Sequence, residues 1–225
     1  MKRLVTVMCA AVLAFGLAFT ARPIQAQSIA LGVEGGATFS KFHVGNTTSD
    51  VSLNNQTGLR IAGVLRVGLG GLLGLESGVG LTQKGATAPP SETGLTTDVD
   101  FNVDYVTVPL LLTLGIPTGP SPVHPRLFAG PQVGFQSNCS VSVQDATGSA
   151  STDCDASNLI QTNNTDFGLV FGGGLDFGLG GPLALTVDGR YELGLTDIND
   201  TPDPSPSTIR NRSFVVSGGL LFRLP

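Results

Sequence analysis

The chain has 225 residues, of which 41% are apolar and only 13% charged, with 31 glycines, 14 prolines and no tryptophan. Glycine at about twice its usual share but without a triplet period excludes a collagen-like fibre, and scarce Lys and Glu beside so much Gly and Pro oppose a helical bundle. Plentiful apolar residues and a formal net charge of −5 exclude a disordered chain, so what remains is an all-β chain.

Lys2 and Arg3 open the chain as a positive segment, and Leu4 to Thr20 form a mostly apolar run. Cleavage after Ala26 would leave Ile24 and Ala26 at the −3 and −1 sites, the pattern of a secretory signal peptide over residues 1–26. A membrane-anchoring helix fits less well, because the run is short and broken by Pro23. Cys9 lies inside the run without the small-residue context of a lipoprotein cleavage box. The remaining domain, 27–225, carries 9 basic and 17 acidic residues, which argues against a nucleic-acid partner.

Eight segments of period-two alternation follow, at 29–41, 57–69, 72–85, 98–116, 125–137, 165–179, 183–196 and 209–224. Each supplies the nine to eleven residues that a tilted strand needs to cross a bilayer. Links one, three, five and seven are long (42–56, 86–97, 138–164 and 197–208), while links two, four and six are short (Gly70-Gly71, 117–124 and Gly180-Gly181-Pro182). Alternating short and long links, with both termini on the short side, is the pattern of an outer-membrane barrel with four long loops facing outward.

The faces of the strands point the same way. Leu59, Ile61, Leu65, Val67 and Leu69 share one side of the second segment, opposite Arg60 and Arg66. Phe167, Leu169, Phe171, Leu175 and Phe177 oppose Asp166 and Asp176 in the sixth, and Phe214, Val216, Leu220, Phe222 and Leu224 oppose Ser213, Ser217 and Arg223 in the last. Collected over the barrel, the polar faces hold Arg60, Arg66, Lys84, Arg126, Arg190 and Arg223 against Glu34, Glu76, Asp176, Asp188 and Glu192. This near balance, in a domain that is strongly acidic, suits an enclosed space where ions must pair. The expected fold is therefore an all-β, eight-stranded antiparallel up-and-down transmembrane β-barrel, with charges inward and apolar faces on lipid. Glycines on the polar faces leave room for the long charged chains, so no wide pore is expected. In the fourth segment, apolar residues sit at odd positions through Tyr105 and at even positions from Val106. A one-residue bulge near Tyr105 would reconcile the halves, or the outer half projects beyond the membrane.

Cys139 and Cys154 close a Ser- and Asp-rich stretch of the fifth link, which in an exported chain reads as a disulfide rather than a zinc site. Catalysis on lipid would require a base beside a nucleophile at the rim. His124 lies between prolines in a short link, and His43, with Ser40 nearby, has no evident acidic orienter, so no enzyme and no cofactor are expected. Triplets such as Asn46-Thr-Thr mark polar loops, and the acidic stretches 98–104 and 197–203 lack the spacing of a calcium loop.

Ser28-Ile-Ala-Leu-Gly-Val-Glu-Gly-Gly-Ala-Thr-Phe-Ser-Lys-Phe42, Gly80-Leu-Thr-Gln-Lys-Gly85, Tyr105-Val-Thr-Val-Pro-Leu-Leu-Leu112 and Leu127-Phe-Ala-Gly-Pro-Gln-Val-Gly-Phe135 follow one another in an order that resembles the PorT-like outer-membrane β-barrel proteins. Asp166-Phe-Gly-Leu-Val-Phe-Gly-Gly-Gly-Leu-Asp176 and Arg190-Tyr-Glu-Leu-Gly-Leu-Thr-Asp-Ile198 continue the match. The resemblance implies a barrel of the Gram-negative outer membrane, with membrane lipid as its surroundings. It also implies a last strand read by the barrel-assembly machinery through Ser217, Gly219, Phe222 and Leu224, although the chain ends in Pro225 where such barrels commonly end in an aromatic residue. Two roles fit: a structural or interaction barrel presenting four loops to an unidentified partner, or a narrow channel or secretion and assembly factor. A soluble ligand-binding barrel is the weaker third.

Overall fold

A computed structural model describes residues 28–45, 54–88, 99–145, 148–153, 165–196 and 208–225. Among these residues the secondary structure is all strand: β1 (Ile29–Gly45), β2 (Asn54–Gly70), β3 (Leu73–Ala88), β4 (Val99–Gly115), β5 (Val123–Asp145), β6 (Gly148–Asp153), β7 (Thr165–Gly180), β8 (Leu183–Gly194) and β9 (Thr208–Arg223). Every pairing is antiparallel; β1 pairs with both β2 and β9, and the β4–β5 pairing closes the ring. Eight strands make the barrel. The ninth, β6, lies outside the ring and pairs with the far end of β5.

The short links form where the sequence has glycine pairs. Gly71 and Gly181 have φ of +61°, and Gly70 and Gly180 have φ of +102° and +93°. A two-residue hairpin of the II′ kind needs positive φ at its first central position, and Pro182 supplies the fixed negative φ at the second. Both hairpins skip one residue beside the turn, between Gly68 and Gly70 and between Gly178 and Gly180. The same device thus ends β2 and β7.

Alternation sets the faces. On β8 every second residue from Ala184 to Gly194 is buried, while Leu183, Leu185 and Val187 are exposed. On β2, Leu59 is 68% exposed and neighbouring Arg60 only 3%. The molecule is inside-out relative to a soluble barrel: a belt of Leu, Val, Ile and Phe faces outward and charges face inward. An isolated surface of this kind is stable only against hydrocarbon.

Two expectations need correction. No residue of β4 is skipped: its register with β3 runs unbroken from Val99↔Ala88 to Leu114↔Leu73, and Val103, Tyr105, Thr107 and Leu111 are all buried in phase. The irregularity falls on the partner strand instead, where Asp104 pairs with Asn138 and Tyr105 with Gln136, leaving Ser137 over. Its hydroxyl donates to the Asp104 carbonyl at 3.0 Å. Ser137 also marks the handover of β5 from β7, paired up to Phe135, to β6, paired from Ser140. The fifth strand therefore runs past 137 to Asp145, and part of the expected loop 138–164 is a hairpin standing beyond the ring. The signal segment 1–26, Cys154 and most of the long links lie outside the described residues.

Candidate functional site: the ionic barrel interior

The inward positions nearest the short turns bring together three arginines and four carboxylates. β2 supplies Arg66, whose Nε meets Glu76 at 2.7 Å, Nη1 meets Asp176 at 3.0 Å and Nη2 meets Glu34 at 3.1 Å. β5 supplies Arg126, whose Nη1 lies 3.1 Å from Glu76 and whose Nη2 lies 2.6 Å from Asp188. Arg190 of β8 reaches past β9 to Glu34 of β1 at 2.9 Å. A planar guanidinium suits this place, because its fixed fork can serve several carboxylates at once.

Apolar groups brace the charged layer. Arg126 and Arg190 stack on Phe128 at 5.0 and 5.4 Å from its centroid, and Phe128 packs with Leu111 and Val170. A second cluster joins Val64, Ala184 and Leu221. Glycine makes the fit possible at particular points. A Cβ on Gly174 would fall on the Asp188 carboxylate, and one on Gly172 would come within 2.8 Å of the Phe128 ring.

Toward the long links lies a second group. Lys84 pairs with Glu192 at 2.9 Å and stands over the Tyr105 ring at 5.6 Å, while Gln132 donates to Glu192 at 3.4 Å. Arg60 has no carboxylate within ion-pair distance among the described residues; it donates to the hydroxyls of Thr82 and Thr107 at 2.9 and 3.1 Å. A cavity with room for about one water molecule is lined by Lys84, Tyr105, Gln132, Asp166 and Glu192. Its size excludes an organic substrate.

Ten of the eleven network residues read from sequence line this interior: Glu34, Arg60, Arg66, Glu76, Lys84, Arg126, Asp176, Asp188, Arg190 and Glu192. Arg223 does not. It pairs with Ala30 at the very end of β9 and is exposed, because its long side chain stands at the short-turn rim of the barrel. Asp166 belongs inside and was left out of that set; its phase with Asp176 on β7 was the available signal. Of the residues read as an assembly signal, Ser217 is buried, Phe222 and Leu224 are exposed on the lipid side, and Gly219 packs so closely on Glu34 that a Cβ would lie 2.7 Å from its Cγ.

The residues weighed for catalysis are engaged elsewhere or apart. Ser40 exchanges hydrogen bonds with the backbone of Gly85 at 2.9 and 3.0 Å, and His124 is exposed at the opposite end. His43 lies opposite Arg210 in the β1–β9 ladder. Cys139 lies opposite Val103 on β5.

Comparison with known structures supports the fold. The outer membrane protein OprG from Pseudomonas aeruginosa is similar at 14% identity with a TM-score of 0.54, over 89% of this chain and 97% of that one. A major outer membrane protein from Thermus thermophilus is similar at 14% identity with a TM-score of 0.51, over 89% of this chain and all of the other. At this identity the likeness concerns architecture alone. The chain matches no curated protein sequence. Residues 25–200 match the profile described as outer membrane protein beta-barrel domain. With its ring of eight strands, apolar exterior and charged interior, the chain belongs to that family and resides in the outer membrane.

Proposed function

We propose that this barrel is a non-catalytic anchor that holds its long-link end outside the cell as an interaction surface, and that it is not a solute pore. The observation that carries the reading is the layer in which Arg66, Arg126 and Arg190 bridge carboxylates from β1, β3, β7 and β8 across the lumen. Opening a path would separate buried ion pairs, each of which strongly resists losing a partner.

The β4–β5–β6 extension suits such a surface, since it carries strand structure beyond the ring. Ser140 pairs with Asp153, and in the sequence Cys139 precedes the one and Cys154 follows the other. A disulfide between Cys139 and Cys154 would staple the base of this hairpin. Export by the 1–26 signal and insertion by an assembly machinery that reads the last strand complete the proposal. PorT-like membership is part of the same reading, carried by the ordered motifs of the sequence.

Planar-bilayer recording of the purified barrel tests the central claim. The expected record has no discrete openings. Unitary conductance steps that survive repurification would refute the anchor reading in favour of a narrow channel.

A further inference from the structure

Beyond residue 26 the sequence holds nine bases. Five point into the barrel, and Arg223 ends β9 at the short-turn side. The three that remain, Lys41, Arg210 and Arg212, converge on one seam. In the β1–β9 register Lys41 lies opposite Arg212, and His43 lies opposite Arg210. Arg210 is exposed and Arg212 half-buried, while Asn211 and Ser213 between and beside them are buried.

The depth of this seam is marked from below. Phe39 and Phe214 face each other outward, 43% and 46% exposed, as part of the aromatic level expected at a membrane interface. Two residues further along a strand is about 7 Å, which brings the bases to lipid headgroup level. No salt bridge to Arg210 or Arg212 occurs among the described residues, and the Nε of Arg212 is buried without a hydrogen-bond partner. Asp104 on β4, across the ring, is the outward acidic residue among the strand residues whose side chains are described.

Below the aromatic level the seam has one gap, between the outward pairs Ala37–Val216 and Val33–Leu220. Gly35 opposes Gly218 directly, and Gly63 and Gly189 lie on the flanking strands. A Cβ at Gly63 would have nothing within 4 Å, and at Gly35 its nearest neighbour would be 3.9 Å away. The Gly35–Gly218 pair leaves a shallow notch in the lipid-facing wall, while the Phe214 ring edge comes within 3.7 Å of where a Cβ on Gly189 would lie; glycines inside instead make room for side chains.

We propose that the β1–β9 seam binds a phosphate-bearing membrane lipid, with its phosphate held by Arg210 and Arg212 and an acyl chain lying over the notch at Gly35 and Gly218. Guanidinium forks match phosphate oxygens in pairs, and each base near a membrane surface strengthens attraction to anionic lipid several-fold. The site rests on the orientation proposed above only for the leaflet it addresses.

Native mass spectrometry of the full-length mature chain in a neutral maltoside detergent tests it, with dilauroyl phosphatidic acid and dilauroyl phosphatidylcholine as probes. Phosphatidic acid should be retained at least about tenfold more than phosphatidylcholine. The variant R210Q/R212Q should lose that preference, and R223Q should keep it, with heat-dependent gel mobility confirming that each barrel is folded. The proposal is overturned if the unaltered barrel shows no preference, as when Asp197, Asp200 and Asp203 of the adjoining link neutralise the bases. A folded double variant that retains the preference also overturns it. So does glycerol phosphate competing as well as the lipid, which would make this a site for soluble phosphate. None of these outcomes depends on whether the barrel conducts.

Discussion

Replacing Arg66 with Met isolates what the ionic layer contributes. Arg66 uses three nitrogens on three carboxylates, and its Nη2 also lies 3.4 Å from Asp188. Its side chain is 11% exposed and those of Glu34, Glu76 and Asp188 at most 1%, so solvent screens these contacts little. Methionine fills comparable space but leaves four carboxylates with Arg126 and Arg190 alone. Removing one partner of a buried ion pair typically costs about 3–5 kcal/mol, and that is the expected loss here. Lysine would restore the charge but could not serve three carboxylates from one nitrogen, so R66K should recover only part of the loss. The chain has no tryptophan, so guanidinium unfolding in lipid is best followed by far-UV circular dichroism and heat-dependent gel mobility. An R66M barrel within about 1 kcal/mol of the original would refute the view that these charges hold one another in place.

Three further substitutions probe the two faces of the wall. Gly174→Ala would set a methyl group against the Asp188 carboxylate and should destabilise by about 1–3 kcal/mol, whereas Gly63→Ala, with open space outside, should change little; equal effects in the same unfolding assay would contradict the assignment of faces. Ile61→Arg places a charge in the outward belt, where Ile61 is 62% exposed, and should cost about 2–4 kcal/mol in a bilayer. A neutral result for Ile61→Arg would put that face in water instead of lipid.

Much of this arrangement was legible in the sequence because charge is a reliable marker of the inward face. Arg60 and Arg66, or Asp188, Arg190 and Glu192, betray the phase of their strands. Paired glycines likewise announced the hairpins at Gly70-Gly71 and Gly180-Gly181. What misled was the converse assumption that apolar means outward. Val103 and Tyr105 are buried inside, as are Val64, Leu111, Phe128, Val170 and Val215, and an apolar residue carries no sign of the face it takes. That is why β4 looked out of phase when its pairing with β3 is regular. Arg223 shows the complementary limit. Its parity agrees with Ser213 and Ser217, but alternation does not say where the barrel's rim lies, and a long side chain at the rim reaches solvent. The extra residue at Ser137 was illegible because a bulge depends on what each neighbouring strand offers, not on one segment.

The ion pairs within the lumen also have a bearing on time. Arg66 and Asp176 are separated by 110 positions in the chain, Arg66 and Asp188 by 122, and Arg190 and Glu34 by 156. Such contacts form after the strands carrying them have met, so they belong to the last stage of folding rather than to its nucleus. Interactions absent from the transition state slow unfolding more than they speed folding. The layer therefore acts as a latch: once shut, it governs how long the barrel lasts more than how quickly it is made.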